Sequence, residues 1–242
     1  MLAVLLDPEK TPLKALPPLC RILAESPVDF VLVGGSGYLA DTGAFVRCLK
    51  EQMDKPVLLF PGDMSQFTPA ADALLLLALL SGRNAEYLIG QHVKAAMAIR
   101  ESGIETLPTG YILVDGGRTS SVERASRTRA LTAPEEIAVT AVAAEQAGKR
   151  LVYLEAGSGA ETPVSIGIIR QVRTLISCPL IVGGGICSVT QMQAAFRAGA
   201  DIVVIGNHFE QHPADIRLFA ETKEQSNRPS TQHTSSSTQH TS

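Results

Sequence analysis

Glu155 closes a short apolar run, Leu151-Val152-Tyr153-Leu154, and is followed at once by Ala156-Gly157-Ser158-Gly159. A carboxylate delivered by a strand end can hold a substrate hydroxyl and take its proton as that oxygen attacks; a structural ion pair is the other common use of such a group. Two further glycine turns come later, Gly183-Gly184-Gly185 and Gly206-Asn207. Glycine reaches left-handed conformations and leaves amide N–H groups unobstructed, so three such turns after consecutive runs have the makings of a phosphate cradle. Each alone is also an ordinary tight turn. At the other end of the chain stand Asp7-Pro8-Glu9-Lys10 and Gly34-Gly35-Ser36-Gly37. A carboxylate and a hydroxyl, Asp7 and Ser36, suit a Mg²⁺ that keeps waters and takes its other ligands from substrate phosphates. Asp7 before Pro8 is equally the pattern of a helix N-cap. Gly35-Ser36-Gly37-Tyr38-Leu39-Ala40 matches a dinucleotide-binding pattern, but it follows the second run, and the next run ends in Phe60-Pro61-Gly62 without a ribose-binding acid. His92 falls in a helical stretch, and His208 and His212 follow the last run without an assigned role.

The elements that must position these groups alternate. Apolar runs near residues 2–6, 29–33, 56–60, 73–77, 107–114, 151–155, 179–182 and 201–205 read as strands, and eight of them predict a closed parallel barrel. Helix-period stretches at residues 44–52, 86–101, 134–147, 163–176, 189–198 and 213–224 predict its outer ring. Between residues 60 and 73 the chain carries two prolines and a glycine and is too short for a full crossover helix. The third helix is therefore expected to be missing. An apolar gap beside strands three and four, lined by Leu58, Leu59, Phe60 and Leu74 to Leu77, would accept a long apolar substrate or be covered by a neighbouring subunit.

Composition narrows the function classes. With 45% apolar and 19% charged residues in 242, the chain can bury a sizeable core. A net charge of −3 and the lack of any Lys/Arg run argue against extended nucleic-acid binding. Four scattered cysteines without a CxxC pair argue against disulfide staples and zinc modules. The first apolar run is far too short to span a membrane and has no basic start, so a cytoplasmic location is expected. Residues 225–242 turn to Ser, Thr, Gln and His in a near-verbatim repeat and are expected to be a disordered tail after one catalytic domain, residues 1–224.

Taken together, Leu6-Asp7-Pro8-Glu9-Lys10, Gly34-Gly35-Ser36, the Tyr153 to Gly159 segment, Val182 to Ile186 and Gly206-Asn207 resemble, in order and spacing, the geranylgeranylglyceryl and heptaprenylglyceryl phosphate synthases, a family of prenyltransferases. The most specific segment is Tyr153-Leu154-Glu155-Ala156-Gly157-Ser158-Gly159. The resemblance implies an α/β fold, a modified (β/α)₈ TIM barrel whose third helix is replaced by a loop. It implies transfer of a prenyl group from its diphosphate to the 3-hydroxyl of sn-glycerol 1-phosphate. Asp7 and Ser36 match positions that bind Mg²⁺; Tyr153 to Gly159, Gly184, Gly185, Gly206 and Asn207 match positions that hold glycerol phosphate. With that chemistry, Glu155 is expected to position the hydroxyl and remove its proton as the catalytic base. Leu5 stands where the heptaprenyl branch often has Lys, which favours geranylgeranyl diphosphate. A homo-oligomer, dimer or hexamer, and peripheral membrane contact through the product are further implications. Two other readings stay open: a phosphate-binding isomerase or lyase pairing Asp7 with Asp63 or Asp115, and a non-catalytic barrel that binds a phosphorylated ligand. Dependence on Mg²⁺ separates them from the synthase.

Overall fold

The computed structural model describes residues 1–35 and 40–226. Eight strands, β1 (Leu2–Leu6), β2 (Phe30–Val33), β3 (Val57–Leu59), β4 (Ala73–Leu79), β5 (Glu105–Leu113), β6 (Leu151–Glu155), β7 (Leu180–Gly183) and β8 (Ile202–Ile205), form one closed barrel in sequence order. Every pairing is parallel, and β8 returns to β1 through Leu2, Ala3 and Val4. Closure leaves no open-sheet crevice of the dinucleotide-binding kind, so that reading falls. Residues 36–39, on which its pattern rests, lie outside the described residues.

Strand alternation divides the core in two. Ala3, Leu32, Leu75, Leu113, Tyr153 and Ile181 fill the barrel interior. Leu2, Val4, Leu6, Val31, Val33 and Leu154 face outward onto the helices. Both faces are apolar, as a parallel sheet buried on both sides requires.

The helical ring comprises α1 (Leu16–Glu25), α2 (Thr42–Lys50), α3 (Gln91–Ser102), α4 (Ser121–Ser126), α5 (Pro134–Gln146), α6 (Ile166–Leu175), α7 (Val189–Arg197), α8 (Asn207–Gln211) and α9 (Asp215–Ser226). The sequence pattern did not reveal α1. Pro17 and Pro18 sit in its first turn, where their missing N–H groups would have had no partner. Asp7 caps no helix: its carbonyl accepts from Lys10 and Thr11 in an isolated turn, and α1 starts nine residues later, at Leu16. The stretch from Glu86 opens as a π-helical turn, Glu86–Gly90, before α3 begins. α4 is fixed by a capping box between Ser120 and Glu123. α9 runs through Ser226, two residues past the expected boundary of the domain; residues 227–242 lie outside the described residues.

Between β3 and β4 there is one 3₁₀ turn, Met64–Gln66, and no helix. Side chains hold this segment in place of a helical ladder. Asp63 accepts from the amide of Ser65, Gln66 accepts from Gly62 and donates to the carbonyl of Gly35, and Gln91 of α3 accepts from Met64. Phe67, Ala70 and Ala71 pack onto the core that contains Leu59 and Leu74. The loop itself thus covers the wall where the third helix is missing.

Candidate active site

β6 points Tyr153 and Glu155 into the barrel mouth, because alternate residues of a strand share a face. Glu155 is only 6% exposed, and its Oε1 accepts from the amide of Gly157 at 2.8 Å. Burial pushes its carboxyl up from the ordinary 4.5; the Tyr153 hydroxyl and the Gly157 amide pull part of that back. Tyr153 is fully buried, with ring centroids 5.3 Å from Phe60 and 5.4 Å from Tyr111. Its hydroxyl is near enough to influence Glu155 yet makes no hydrogen bond of good geometry. A buried orphan of that kind is costly, and a ligand hydroxyl or phosphate oxygen would satisfy it.

The glycine turns after β6, β7 and β8 converge on one side of the mouth. Gly184 has φ +82°, and a Cβ there would overlap Glu155 Oε1 and lie 2.7 and 2.8 Å from the amide nitrogens of Gly157 and Ala156. Only glycine lets the β7 turn pass this close to the β6 turn. Ser158 Oγ donates to Asn207 Oδ1 at 3.0 Å, joining the β6 and β8 turns. Lys10 Nζ reaches over from the β1 turn and donates to Ser158 Oγ and Asn207 Oδ1, both at 3.1 Å.

Lys10 also lies 3.6 Å from Asp7 Oδ2 and 3.8 Å from Glu210 Oε2, and the Asp7 amide donates to Glu210 Oε1 at 3.1 Å. Burial raises the Glu210 carboxyl, the charge of Lys10 and the Asp7 amide lower it, and the charge of Asp7 raises it again. Sequence reading had Lys10 only as part of a motif and missed Glu210. Its one signal was position: three residues after Asn207, one turn along α8.

A Cβ at Gly35 would sit 2.5–2.6 Å from the carboxyl atoms of Asp7, so this glycine keeps the space before that carboxylate clear. Among the described residues no group of three or more His, Cys, Asp or Glu could hold a metal by itself. A cation at Asp7 would have to draw ligands from water and substrate, as Mg²⁺ does at phosphate-binding sites. Asp7 with its cleared approach fits such an ion; Ser36 lies outside the described residues.

One cavity of about 590 Å³ takes in Asp7, Tyr153, Glu155, Gly157, Ser158, Gly159, Gly184, Gly185, Gly206 and Asn207. Leu154 and Ala156 do not line it. Leu154 is fully buried on the helix side of the sheet, and the amide of Ala156 is bonded to Gly183. The cavity continues past Phe60, Met64, Leu77, Leu79, Tyr87 and Val122, an apolar arm. The expected groove is thus placed differently. Of its predicted lining only Phe60 and Leu77 take part, Leu59 and Leu74 are sealed under the loop, and Leu58 and Leu75 line a separate cavity of about 280 Å³ at the barrel floor. His208 lines the mouth and bonds Asp215 at 2.9 Å, while His92 is tied to the carbonyl of Leu77. Asp63 lines the same cavity as Asp7 and accepts from the amide of Ser65, while Asp115 accepts from Gly117 and does not line the cavity.

A closed parallel barrel with glycine turns gathered after β6, β7 and β8 and an apolar arm leading away from them belongs to the phosphate-binding (β/α)₈ class. The PcrB family model matches residues 2–223, and the chain belongs to that family. It is 48% identical over 213 residues to the geranylgeranylglyceryl phosphate synthase of Zunongwangia profunda, covering 87% of this chain and 91% of that one. It is 47% identical to the synthase of Spirosoma linguale, covering 87% and 86%. Among solved structures, (S)-3-O-geranylgeranylglyceryl phosphate synthase from Thermoplasma acidophilum in complex with sn-glycerol 1-phosphate superposes with a TM-score of 0.85 at 31% identity, covering 92% of each chain.

Proposed function

We propose that this chain is a geranylgeranylglyceryl phosphate synthase that joins the 3-hydroxyl of sn-glycerol 1-phosphate to C1 of geranylgeranyl diphosphate. The observation that carries the reading is the continuity of one cavity from the Ser158–Asn207–Lys10 cluster, past Glu155, into the apolar arm beyond Phe60. A small polar phosphoester fits the first part and a prenyl chain the second. The relatives named above are geranylgeranylglyceryl phosphate synthases by name, and the T. acidophilum enzyme is solved in complex with its substrate sn-glycerol 1-phosphate, which supports this reading.

In this reading the turns after β6, β7 and β8 hold the glycerol phosphate, and Tyr153 and Glu155 orient its 3-hydroxyl. Glu155 takes the hydroxyl proton as the oxygen bonds to C1; the C1–O bond to diphosphate breaks, and diphosphate departs with the electron pair. Its raised pKa makes Glu155 a better base than an exposed carboxylate. Asp7, with Ser36, would hold Mg²⁺, which supplies charge neutralisation for the leaving group. The apolar arm excludes water from the allylic centre.

Lys10 joins the two halves of the site, so Lys10→Met is expected to raise KM for glycerol phosphate by about tenfold, the loss of a partly exposed charge-assisted hydrogen bond. Steady-state kinetics with each substrate varied in turn checks this; KM for the prenyl substrate should move less.

The reading itself is tested by diphosphate release. Release should require both sn-glycerol 1-phosphate and geranylgeranyl diphosphate and should stop with a chelator. Release that is independent of glycerol phosphate would overturn the assignment.

A further inference from the structure

The apolar arm reaches the surface between the π-helical turn that carries Tyr87 and the short helix α4, where Val122, Arg124 and Ala125 line it. The two rims are tied together: Asn84 donates to the carbonyl of Ser126, Tyr87 Oη donates to the carbonyl of Ala125, and Gly82 packs against Thr128. This places Arg83 beside Arg124, Arg127 and Arg129, all four exposed. None of them forms an ion pair within the described residues. Arg83 and Arg124 donate only to backbone carbonyls of their own segments. The acids nearest in sequence are already committed: Glu123 accepts from Ser120 and from the amide of Ala130, and Glu86 pairs with Lys94 and accepts from Gln91. With four arginines against the single carboxylate of Glu123, a chain with net charge −3 therefore concentrates net positive charge on the rim of its one long apolar opening among the described residues.

We propose that this rim is a docking surface for the anionic headgroups of a lipid bilayer. Like-charged guanidinium groups with no internal partner repel each other, and an anionic surface relieves that repulsion. Docked in this way, the arm opens onto the bilayer, and a long prenyl chain enters and leaves without crossing water. That consequence rests on the synthase reading; the docking itself does not. No helix of the described residues is long and apolar enough to cross a membrane, so the contact is peripheral.

The test is flotation of the full chain, without substrate, with vesicles of phosphatidylcholine alone and of phosphatidylcholine mixed with phosphatidylglycerol. Binding is expected only to the mixed vesicles and should fall as salt is raised. The variant R83Q/R127Q/R129Q alters no cavity-lining residue. It should bind the mixed vesicles on the order of 100-fold more weakly, about fivefold for each arginine removed. Its melting temperature, and its turnover of a short water-soluble prenyl diphosphate without vesicles, should match the parent. Equal binding to both vesicle types, no binding to either, or an unchanged affinity in the triple variant would overturn the proposal. So would equally tight binding to duplex DNA at the same salt. Because no substrate is present, a failure here leaves diphosphate release intact, and a failure of diphosphate release leaves vesicle binding intact.

Discussion

Glu155→Gln is expected to lower kcat by about 10²–10⁴-fold, the usual contribution of a positioned general base. The fold should survive, because the amide keeps the shape of the side chain and can still accept from Gly157. Burial of the parent carboxyl raises its pKa, so the folded protein binds the Glu155 proton more tightly than the unfolded chain does. The stability from that proton is fully present below the ordinary glutamate value and is lost as pH rises through the folded one. At neutral pH, where the parent must bury a charge, the amide variant should therefore melt no lower than the parent. The same shift governs turnover: a base must be deprotonated, so the acid limb of the pH profile for kcat/KM should lie above 4.5. Near-parental kcat in Glu155→Gln, or an acid limb below the ordinary glutamate range, would remove Glu155 from proton transfer.

The second large effect is expected at Gly184→Ala. The added methyl would overlap Glu155 Oε1 and press on the backbone of the adjacent turn, and the residue would have to keep φ +82°. Overpacking of this kind costs about 1–3 kcal/mol and a left-handed alanine about 1–2 more, so a loss of roughly 2–5 kcal/mol is expected. Urea unfolding should show it as a lowered midpoint with an unchanged slope. Displacement of Glu155 should cut turnover as well, even below the unfolding transition. A variant with parental stability and turnover would mean that the turns after β6 and β7 do not need this close approach.

Much of this was legible in the residues because barrel strands write themselves as continuous Val, Ile and Leu runs, and each of the eight was found within a few residues of its position. The missing third helix could be read from chain length and two prolines. Helix α1 could not, since Pro17 and Pro18 are breakers in an interior and acceptable only in a first turn. The convergence of the turns after β6, β7 and β8 was legible through glycine, whose presence signals backbone approach. Lys10 and Glu210 were not, because a charge in a turn or a short helix looks the same in sequence whether it faces solvent or spans a cavity mouth. The apolar arm was misplaced for a related reason. Leu59 and Leu74 are indistinguishable by type from Leu77, and only the packing of Phe67 and Ala71 decides which leucines are sealed.

The most direct measurement is incubation of the protein with radiolabelled sn-glycerol 1-phosphate, Mg²⁺ and prenyl diphosphates of graded length, followed by sizing of the extracted product. Label is expected in an organic-soluble ether phosphate, formed best with the geranylgeranyl donor. A folded protein that leaves all label in the aqueous phase with every donor would contradict it.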